Sequence, residues 1–102
     1  MHGNCYNAKG IVLNPSVPLS GTTVTISYSG ILAKNGATSL FAHVGYGNSW
    51  EHAGDFSMKK TENGFSVDVP VAYAPCLNVC FKDGANNWDN NNGRNYTFDV
   101  DC

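Results

Sequence analysis

The feature of this sequence that most constrains its fold is a two-residue alternation of apolar and polar side chains. In "VTISYSG", Val24, Ile26 and Tyr28 fall on one side of an extended chain, and Thr25 and Ser27 fall on the other. The segments "FSVDV", "LNVCF" and "YTFDV" alternate in the same way. A period of two is typical of a β-strand with one buried face, and no segment has a convincing helical period. The pattern therefore predicts an all-β protein.

Turn-forming residues separate the predicted strands, in "NPSVPLSG", "KNGA" and "ENG". The last of these lies between "FSMKK" and "FSVDV" and predicts a hairpin with Asn63 and Gly64 at its tip. A chain of 102 residues can bury one modest core. About seven short antiparallel strands in such a chain predict an immunoglobulin-like antiparallel β-sandwich, with residues 1–102 forming a single domain.

The low positive charge and the short apolar runs of the chain argue against two classes of partner. Charged residues make up 14% of the sequence, and the formal net charge is −2. Proteins that bind nucleic acids carry clustered positive charge, and the six Lys and Arg residues here are scattered. No apolar run approaches the length of a membrane span, and no signal-peptide pattern is visible. We therefore expect neither a nucleic acid nor a membrane as partner.

The cysteines are Cys5, Cys76, Cys80 and Cys102. Their spacing does not form two pairs of zinc ligands, so we expect no metal site. An even number in a small, weakly charged chain is typical of a secreted, extracellular domain with up to two disulfides. Cys76 and Cys80 would lie roughly 13 Å apart along one strand, whereas a disulfide allows about 7 Å. If both bridges form, each would pair with Cys5 or Cys102, and the alternative of unpaired packing residues stays open.

The segment "SLFAHVGYGNSW" contains a histidine and a tryptophan that could face solvent. If Leu40, Ala42 and Val44 face the core, His43 lies on the outer face of this strand. We expect the strand to end at Gly45, with Trp50 just beyond it. An outward histidine is usually an ordinary surface residue, and Trp50 could equally pack beneath its own loop. Neither residue indicates a binding site by itself.

The tract "NNWDNNNG" places Trp88 in a predicted loop among asparagines, where burial is harder to achieve. A large rigid ring offers contact area at small entropic cost, and its π-face attracts the polarised C–H groups of a pyranose ring. The amides of Asn90 and Asn91 both donate and accept hydrogen bonds, as sugar hydroxyls do. If Trp50, Trp88 and His43 share one open face, they form a surface suited to a neutral sugar.

Three stretches closely resemble carbohydrate-binding module family 25, the starch-binding modules of bacterial amylases: "AHVGYGNSW", "MKKTENGFSVDVPV" and "LNVCFKDGANNWDNNNGRNYTF". The resemblance covers about residues 11 to 100, and the related starch-binding family 53 is the second choice. It implies a non-catalytic β-sandwich that binds the α-1,4-glucan of starch and malto-oligosaccharides. The implied site residues are His43, Trp50 and Trp88 as a platform, Asn90 and Asn91 as hydroxyl partners, and Asn48 and Lys82 as further contacts. The four cysteines are not part of the family pattern.

A glycosidase is the first alternative, because Glu51, Asp55, Asp83 and Asp89 lie near the proposed platform in the sequence. Such an enzyme needs two carboxylates about 5 to 10 Å apart and a pocket deep enough to raise the pKa of one of them. A sandwich of this size offers little depth, so we expect no catalysis. The resemblance implies instead a monomer tethered to the catalytic domain of an amylase, without a cofactor.

Three further alternatives concern other ligands or none. An EF-hand template that starts at Asn87 or Asp89 misplaces Gly93, so that template fails, and a structural calcium site of another kind stays open. Single-stranded nucleic acid could stack on paired aromatics but would need a positive groove. An extracellular adhesion or spacer domain of the same fold stays open, and it requires Trp50 and Trp88 to be buried or to lie in an interface.

The angle between the two indole planes bears on which glucan would bind, because a twisted pair suits a curved α-glucan and a coplanar pair suits a flat β-1,4 chain.

Overall fold

The structure is a computed structural model that describes residues 10–14, 17–47, 49–62, 64–72, 75–91, 93 and 95–100. Within these ranges the chain forms nine β-strands and one turn of α-helix. In chain order, the elements are β1 Ile11–Asn14, β2 Thr23–Tyr28, α1 Ile31–Lys34, β3 Leu40–Tyr46, β4 Glu51–Ser57, β5 Lys59–Thr61, β6 Gly64–Pro70, β7 Cys76–Asp83, β8 Trp88–Asp89 and β9 Tyr96–Asp99.

The strands form two antiparallel sheets, so the predicted all-β sandwich is confirmed. The first sheet has the order β1-β2-β6-β5, and the second has the order β4-β3-β7. Both β8 and β9 pair with the edge of β7 that does not face β3. β8 pairs with Phe81 and Lys82, and β9 pairs with the segment from Cys76 to Val79. The hairpin expected at "ENG" is present as β5 and β6, although Asn63 lies outside the described residues. No helix of the described chain is long and apolar enough to cross a membrane.

The helical turn α1 was not predicted from the sequence. Its residues, "ILAK", include good helix formers. The chain leaves the turn through Asn35 and Gly36, where Gly36 has a φ of 86° that favours glycine. Leu32 packs into the core, whereas Ile31 is 58% exposed. A single turn is too short to show a helical period, which explains why the pattern did not reveal it.

One hydrophobic core lies between the two sheets. Its largest fully buried side chains are Tyr28, Tyr96, Phe81, Phe98, Ile11, Ile26, Leu40 and Leu77. Removing one such side chain from water contributes roughly 1.5–3 kcal/mol, so the alternation in the strands stabilises the sandwich. Tyr28 of the first sheet stacks on Phe81 of the second, with ring centroids 4.2 Å apart.

A polar network connects α1 and both sheets to β8. The hydroxyl of Tyr28 donates to Oδ2 of Asp89 at 2.6 Å and accepts a hydrogen bond from the backbone N–H of Leu32 at 3.2 Å. The hydroxyl of Tyr96 donates to the other oxygen of Asp89, at 2.7 Å. Burial and the hydrogen bond to Asp89 raise the pKa of Tyr28 above its usual value, so its hydroxyl stays protonated. Because Asp89 points inward, its strand neighbour Trp88 points outward.

Cys76 and Cys80 are free thiols, so the part of the chain that the structure describes contains neither of the disulfides considered for them. Both lie in β7, as the sequence predicted. Cys80 is 5% exposed, and burial raises its pKa to about 11, which keeps it neutral. For Cys80 the structure therefore favours the alternative of an unpaired packing residue. Cys5 and Cys102 lie outside the described residues.

Candidate functional site

The outer face of the second sheet brings together several side chains that the sequence indicated. His43 of β3 pairs with Asp55 of β4, and Lys82 of β7 pairs with Phe41 of β3 and with Trp88 of β8. Directly paired residues of antiparallel strands point to the same side of the sheet. These side chains therefore share one face, and the outward orientation expected for His43 is found.

Trp50 reaches this face from the turn between β3 and β4. Contrary to expectation, β3 does not end at Gly45 but continues to Tyr46, and its pairing register shifts between Val44 and Tyr46. Trp50 has a φ of 52°, in the left-handed region that residues with side chains rarely adopt. A Cβ on Gly45 would lie 2.3 Å from Cε3 of Trp50. The indole therefore rests on the bare backbone of Gly45, and a Cβ at this position would displace the ring.

Two indoles and one imidazole form a continuous aromatic platform, defined here as Trp50, His43 and Trp88. The rings of His43 and Trp50 are stacked, with centroids 5.6 Å apart and planes inclined by 21°. The rings of His43 and Trp88 meet edge to face, with centroids 5.9 Å apart and planes inclined by 90°. The two indole planes are therefore steeply inclined to each other and not coplanar.

Trp88 lies in the short strand β8 and not in a loop as expected. The pairing of β8 with β7 and the inward hydrogen bonds of Asp89 hold this strand in place. Trp88 is 46% exposed, which is high for a large aromatic residue. Within this chain the indole is therefore available to a ligand, whereas a spacer domain would need it buried or covered by a partner.

Asp55 holds two of the neighbouring side chains, a role that was not predicted. Its Oδ1 lies 2.6 Å from Nδ1 of His43, and its Oδ2 accepts a hydrogen bond from Nζ of Lys82 at 2.8 Å. The hydrogen bonds from Lys82 and then from His43 lower the pKa of the Asp55 carboxyl below its usual value. An ionised carboxylate only accepts, so Nδ1 of His43 donates this hydrogen bond, and Nε2 is the ring nitrogen left for a ligand.

Lys82 lies beside the platform, although the sequence left its orientation open. Its Nζ is 5.3 Å from the ring centroid of Trp88 and 5.9 Å from that of Phe41. Both distances are within the range of a cation–π attraction. The ammonium group therefore contacts the edge of the platform and neutralises Asp55 at the same time.

The asparagines of the sequence prediction are bonded within their own loop. Oδ1 of Asn90 accepts a hydrogen bond from the N–H of Gly93 at 3.0 Å. Nδ2 of Asn91 donates to the carbonyl of Asn95 at 3.1 Å, and Asn91 itself has a φ of 55°. Both side chains thus shape the chain between β8 and β9, and their contact with a sugar stays a prediction. Asn48 lies outside the described residues.

The acids near the platform do not have the features of a catalytic pair. Asp89 is turned inward to two tyrosines, and Asp83 accepts hydrogen bonds from the backbone N–H groups of Ala85 and Asn87. Hydrogen bonds lower the pKa of both Asp55 and Asp83. A general acid needs the opposite, a raised pKa that keeps a proton at neutral pH.

A β-sandwich that displays an open aromatic platform on one sheet has the form of a carbohydrate-binding module. The profile of family 53, described as a starch/carbohydrate-binding module, matches residues 24–79, which is more than half of the chain. The chain belongs to this family and is a non-catalytic starch-binding module. The first choice from the sequence, family 25, is not confirmed, whereas the second choice, family 53, fits the match.

Similar segments occur in three amylases. The chain is 39% identical over 85 residues to an alpha-amylase of Clostridium acetobutylicum, covering 80% of this chain and 10% of that protein. It is 38% identical over 82 residues to a beta/alpha-amylase of Paenibacillus polymyxa, covering 78% and 6% respectively. It is 27% identical over 96 residues to an alpha-amylase of Niallia circulans, covering 91% and 7%. The chain thus spans a tenth or less of the length of these relatives. No solved structure matches the chain.

Proposed function

We propose that this module holds an amylase on its polymeric substrate by binding α-1,4-glucan on the platform of Trp50, His43 and Trp88. The steep inclination of the indole planes carries the proposal. An α-1,4-linked chain is curved, so its successive glucose rings turn relative to each other and can stack on inclined indoles. A flat β-1,4 chain would need coplanar indoles. The resemblance to family 25, which implies the same three residues, supports this assignment.

Polar groups around the rings suit the hydroxyls of a neutral sugar. The hydrogen bond from Nδ1 of His43 to Asp55 leaves Nε2 for a hydrogen bond with one hydroxyl. The ammonium group of Lys82 can donate to a second, and we assign Asn48, Asn90 and Asn91 as partners of further hydroxyls. The charges of Asp55 and Lys82 offset each other, so the face suits a neutral polymer. The described residues of this face form no positive groove, which argues against a nucleic acid as ligand.

We further propose that the module acts as a secreted monomer within a longer amylase, outside the cell and away from membranes. The names of its relatives and the small share of their length that it spans support an accessory role. Polymeric starch is too large to enter a cell, so an enzyme that degrades it acts outside. Tethering then raises the effective concentration of substrate around the catalytic domain without a new catalytic contact.

Isothermal titration with maltoheptaose and with cellohexaose tests the proposed function. We expect saturable binding of maltoheptaose and none of cellohexaose, because only the first is curved. An assay for new reducing ends in the same samples should detect none. Equal affinity for the two sugars would contradict the role of the inclined indoles, and binding of neither would contradict the proposal as a whole.

The variant Trp88→Ala tests the assignment of the platform. A nucleobase that stacks on an aromatic side chain contributes about 1–3 kcal/mol. Taking the same range for the C–H face of a glucose ring, we expect a loss of about 2 kcal/mol, or about thirtyfold in Kd. Leu19→Ala is a matched control, because Leu19 is 44% exposed and lies between β1 and β2, which belong to the other sheet. Wild-type binding by a folded Trp88→Ala protein would remove Trp88 from the site.

A further inference from the structure

A groove of about 740 Å³ opens beside the platform. One wall consists of α1 and the residues that follow it to Thr38, and the other consists of the turn from Asp83 to Trp88. Trp88 belongs to both surfaces, so the groove and the platform are continuous. A ligand that stacks on Trp88 and extends beyond it therefore meets this groove next.

The lining of the groove combines apolar and hydrogen-bonding groups. Ile31 is 58% exposed, more than any other large apolar residue in the described chain, and it shares the groove with the exposed Trp88. Asn35, Thr38 and Asn87 add amide and hydroxyl groups to the lining. Amides and hydroxyls both donate and accept hydrogen bonds, and an aliphatic side chain can pack on C–H groups. This combination matches a sugar ring, which has C–H faces and a rim of hydroxyls.

Hydrogen bonds hold both walls of the groove in place. Oδ1 of Asp83 accepts hydrogen bonds from the N–H groups of Ala85 and Asn87, and Oδ2 accepts one from Nδ2 of Asn87, all at 2.9 Å. Because Nδ2 of Asn87 is held by Asp83, the direction of the Asn87 amide oxygen is fixed as well. Beneath the groove, the hydrogen bonds of the Tyr28 hydroxyl link α1 to β8. Fixed walls lower the entropic cost of binding.

We propose that this groove is an extension subsite that takes further glucose units of the α-glucan bound on the platform. The inference rests on the proposed function, because the chain enters the groove by way of Trp88. A glucose ring packs its C–H groups on Ile31, and its hydroxyls bond to the amides of Asn87 and Asn35. Asp83 is the one charged residue of the described lining, and its negative charge disfavours a phosphorylated or acidic sugar.

Glucans of different length distinguish binding in the groove from binding on the platform. Maltotriose covers the platform alone, whereas maltoheptaose is long enough to reach the groove. We expect Ile31→Asn to weaken maltoheptaose binding about tenfold, the typical effect of losing an apolar contact of this size, and to leave maltotriose binding unchanged. Leu19→Asn is the control, because it replaces another exposed aliphatic side chain of the same size with asparagine. Ala85→Leu, which narrows the groove from its other wall, should have the same selective effect as Ile31→Asn.

The possible outcomes distinguish the groove from the proposed function. Selective loss of maltoheptaose affinity in Ile31→Asn and Ala85→Leu supports the extension subsite. Wild-type affinity of both variants for both sugars overturns the subsite and leaves the platform intact. An equal loss for both sugars also overturns it, because Ile31 would then act on the platform. If wild-type protein binds neither sugar, the proposed function itself fails.

Discussion

The variant Gly45→Ala tests whether glycine at this position keeps the indole of Trp50 in the platform. In the structure a Cβ on Gly45 would lie 2.3 Å from Cε3 and 2.9 Å from Cδ2 of Trp50. Ordinary contacts between carbon atoms are about 3.5–4.0 Å, so the indole must move by more than about 1 Å. The added methyl group therefore displaces the ring from the backbone on which it rests and from its stacking on His43.

Gly45→Ala should affect binding more than stability. Loss of a well-placed stacking ring weakens glucan binding by about 1–2 kcal/mol, or about fivefold to thirtyfold in Kd. The free energy of unfolding should change little, because the advantage of alanine over glycine within a strand, roughly 0.5–1 kcal/mol, is offset by the lost packing of the indole and by the 3.1 Å contact of the new Cβ with Cα of Trp50. A variant that is similarly stable but binds less tightly would show that glycine at this position serves the platform.

Titration calorimetry with maltoheptaose and urea unfolding measure the two effects. Gly54→Ala is the control, because Gly54 lies in the neighbouring strand β4 and a Cβ there meets no atom within 4 Å. It should bind as the wild type does. The reasoning is refuted if Gly45→Ala retains wild-type affinity, or if Gly54→Ala loses as much.

The remaining predictions concern Asp55 and the polar network under β8. Because the side chain of Asp55 is 41% exposed, Asp55→Asn should weaken maltoheptaose binding by only about 1 kcal/mol, or about fivefold. Glu62→Gln, the same charge change on the other sheet, should have no effect, and an unchanged Kd for Asp55→Asn would show that its hydrogen bonds are not needed. The lowered pKa of Asp55 means that its contribution to stability is present above its unfolded-state pKa, near 4. That contribution is lost as the pH falls through the folded-state pKa, so the urea midpoints of wild type and Asp55→Asn should converge only at acid pH. A constant difference down to pH of about 2 would contradict this assignment. Tyr28→Phe removes a donor to Asp89 and should lower the free energy of unfolding by about 1–3 kcal/mol, with an unchanged dependence on urea. A change below about 0.5 kcal/mol would show that the network contributes little.

Most of the sandwich could be predicted from the alternation of side chains, because each long strand buries one face. Tyr28, Phe81 and Phe98 are buried where the period of two places them. The elements that were missed are β1, α1 and β8, of four, four and two residues, and most of β4. Segments as short as α1 and β8 contain barely one repeat of their pattern, so their structure depends on tertiary contacts such as the hydrogen bonds of Asp89.

Residue types identified the candidate platform, but its geometry could not be predicted. The outward direction of His43 follows from the period of its strand, and the asparagines around Trp88 made burial improbable. By contrast, the support of Trp50 by Gly45 depends on a left-handed φ in the turn, and the contact of Asp55 with His43 depends on the strand register. Both are set by the turn and the register of the hairpin formed by β3 and β4, which the pattern of residue types does not specify. For the same reason the inclination of the indoles emerges only from the folded chain.

The most direct test of the aromatic platform is nuclear magnetic resonance of the indole N–H groups during titration with maltoheptaose. The chain has two tryptophans, so each indole gives its own signal, and Trp88→Ala assigns them. The platform predicts that both signals shift and saturate with one Kd, and that cellohexaose shifts neither. Maltoheptaose binding that leaves both indole signals unmoved would contradict the platform and place the glucan elsewhere on the module.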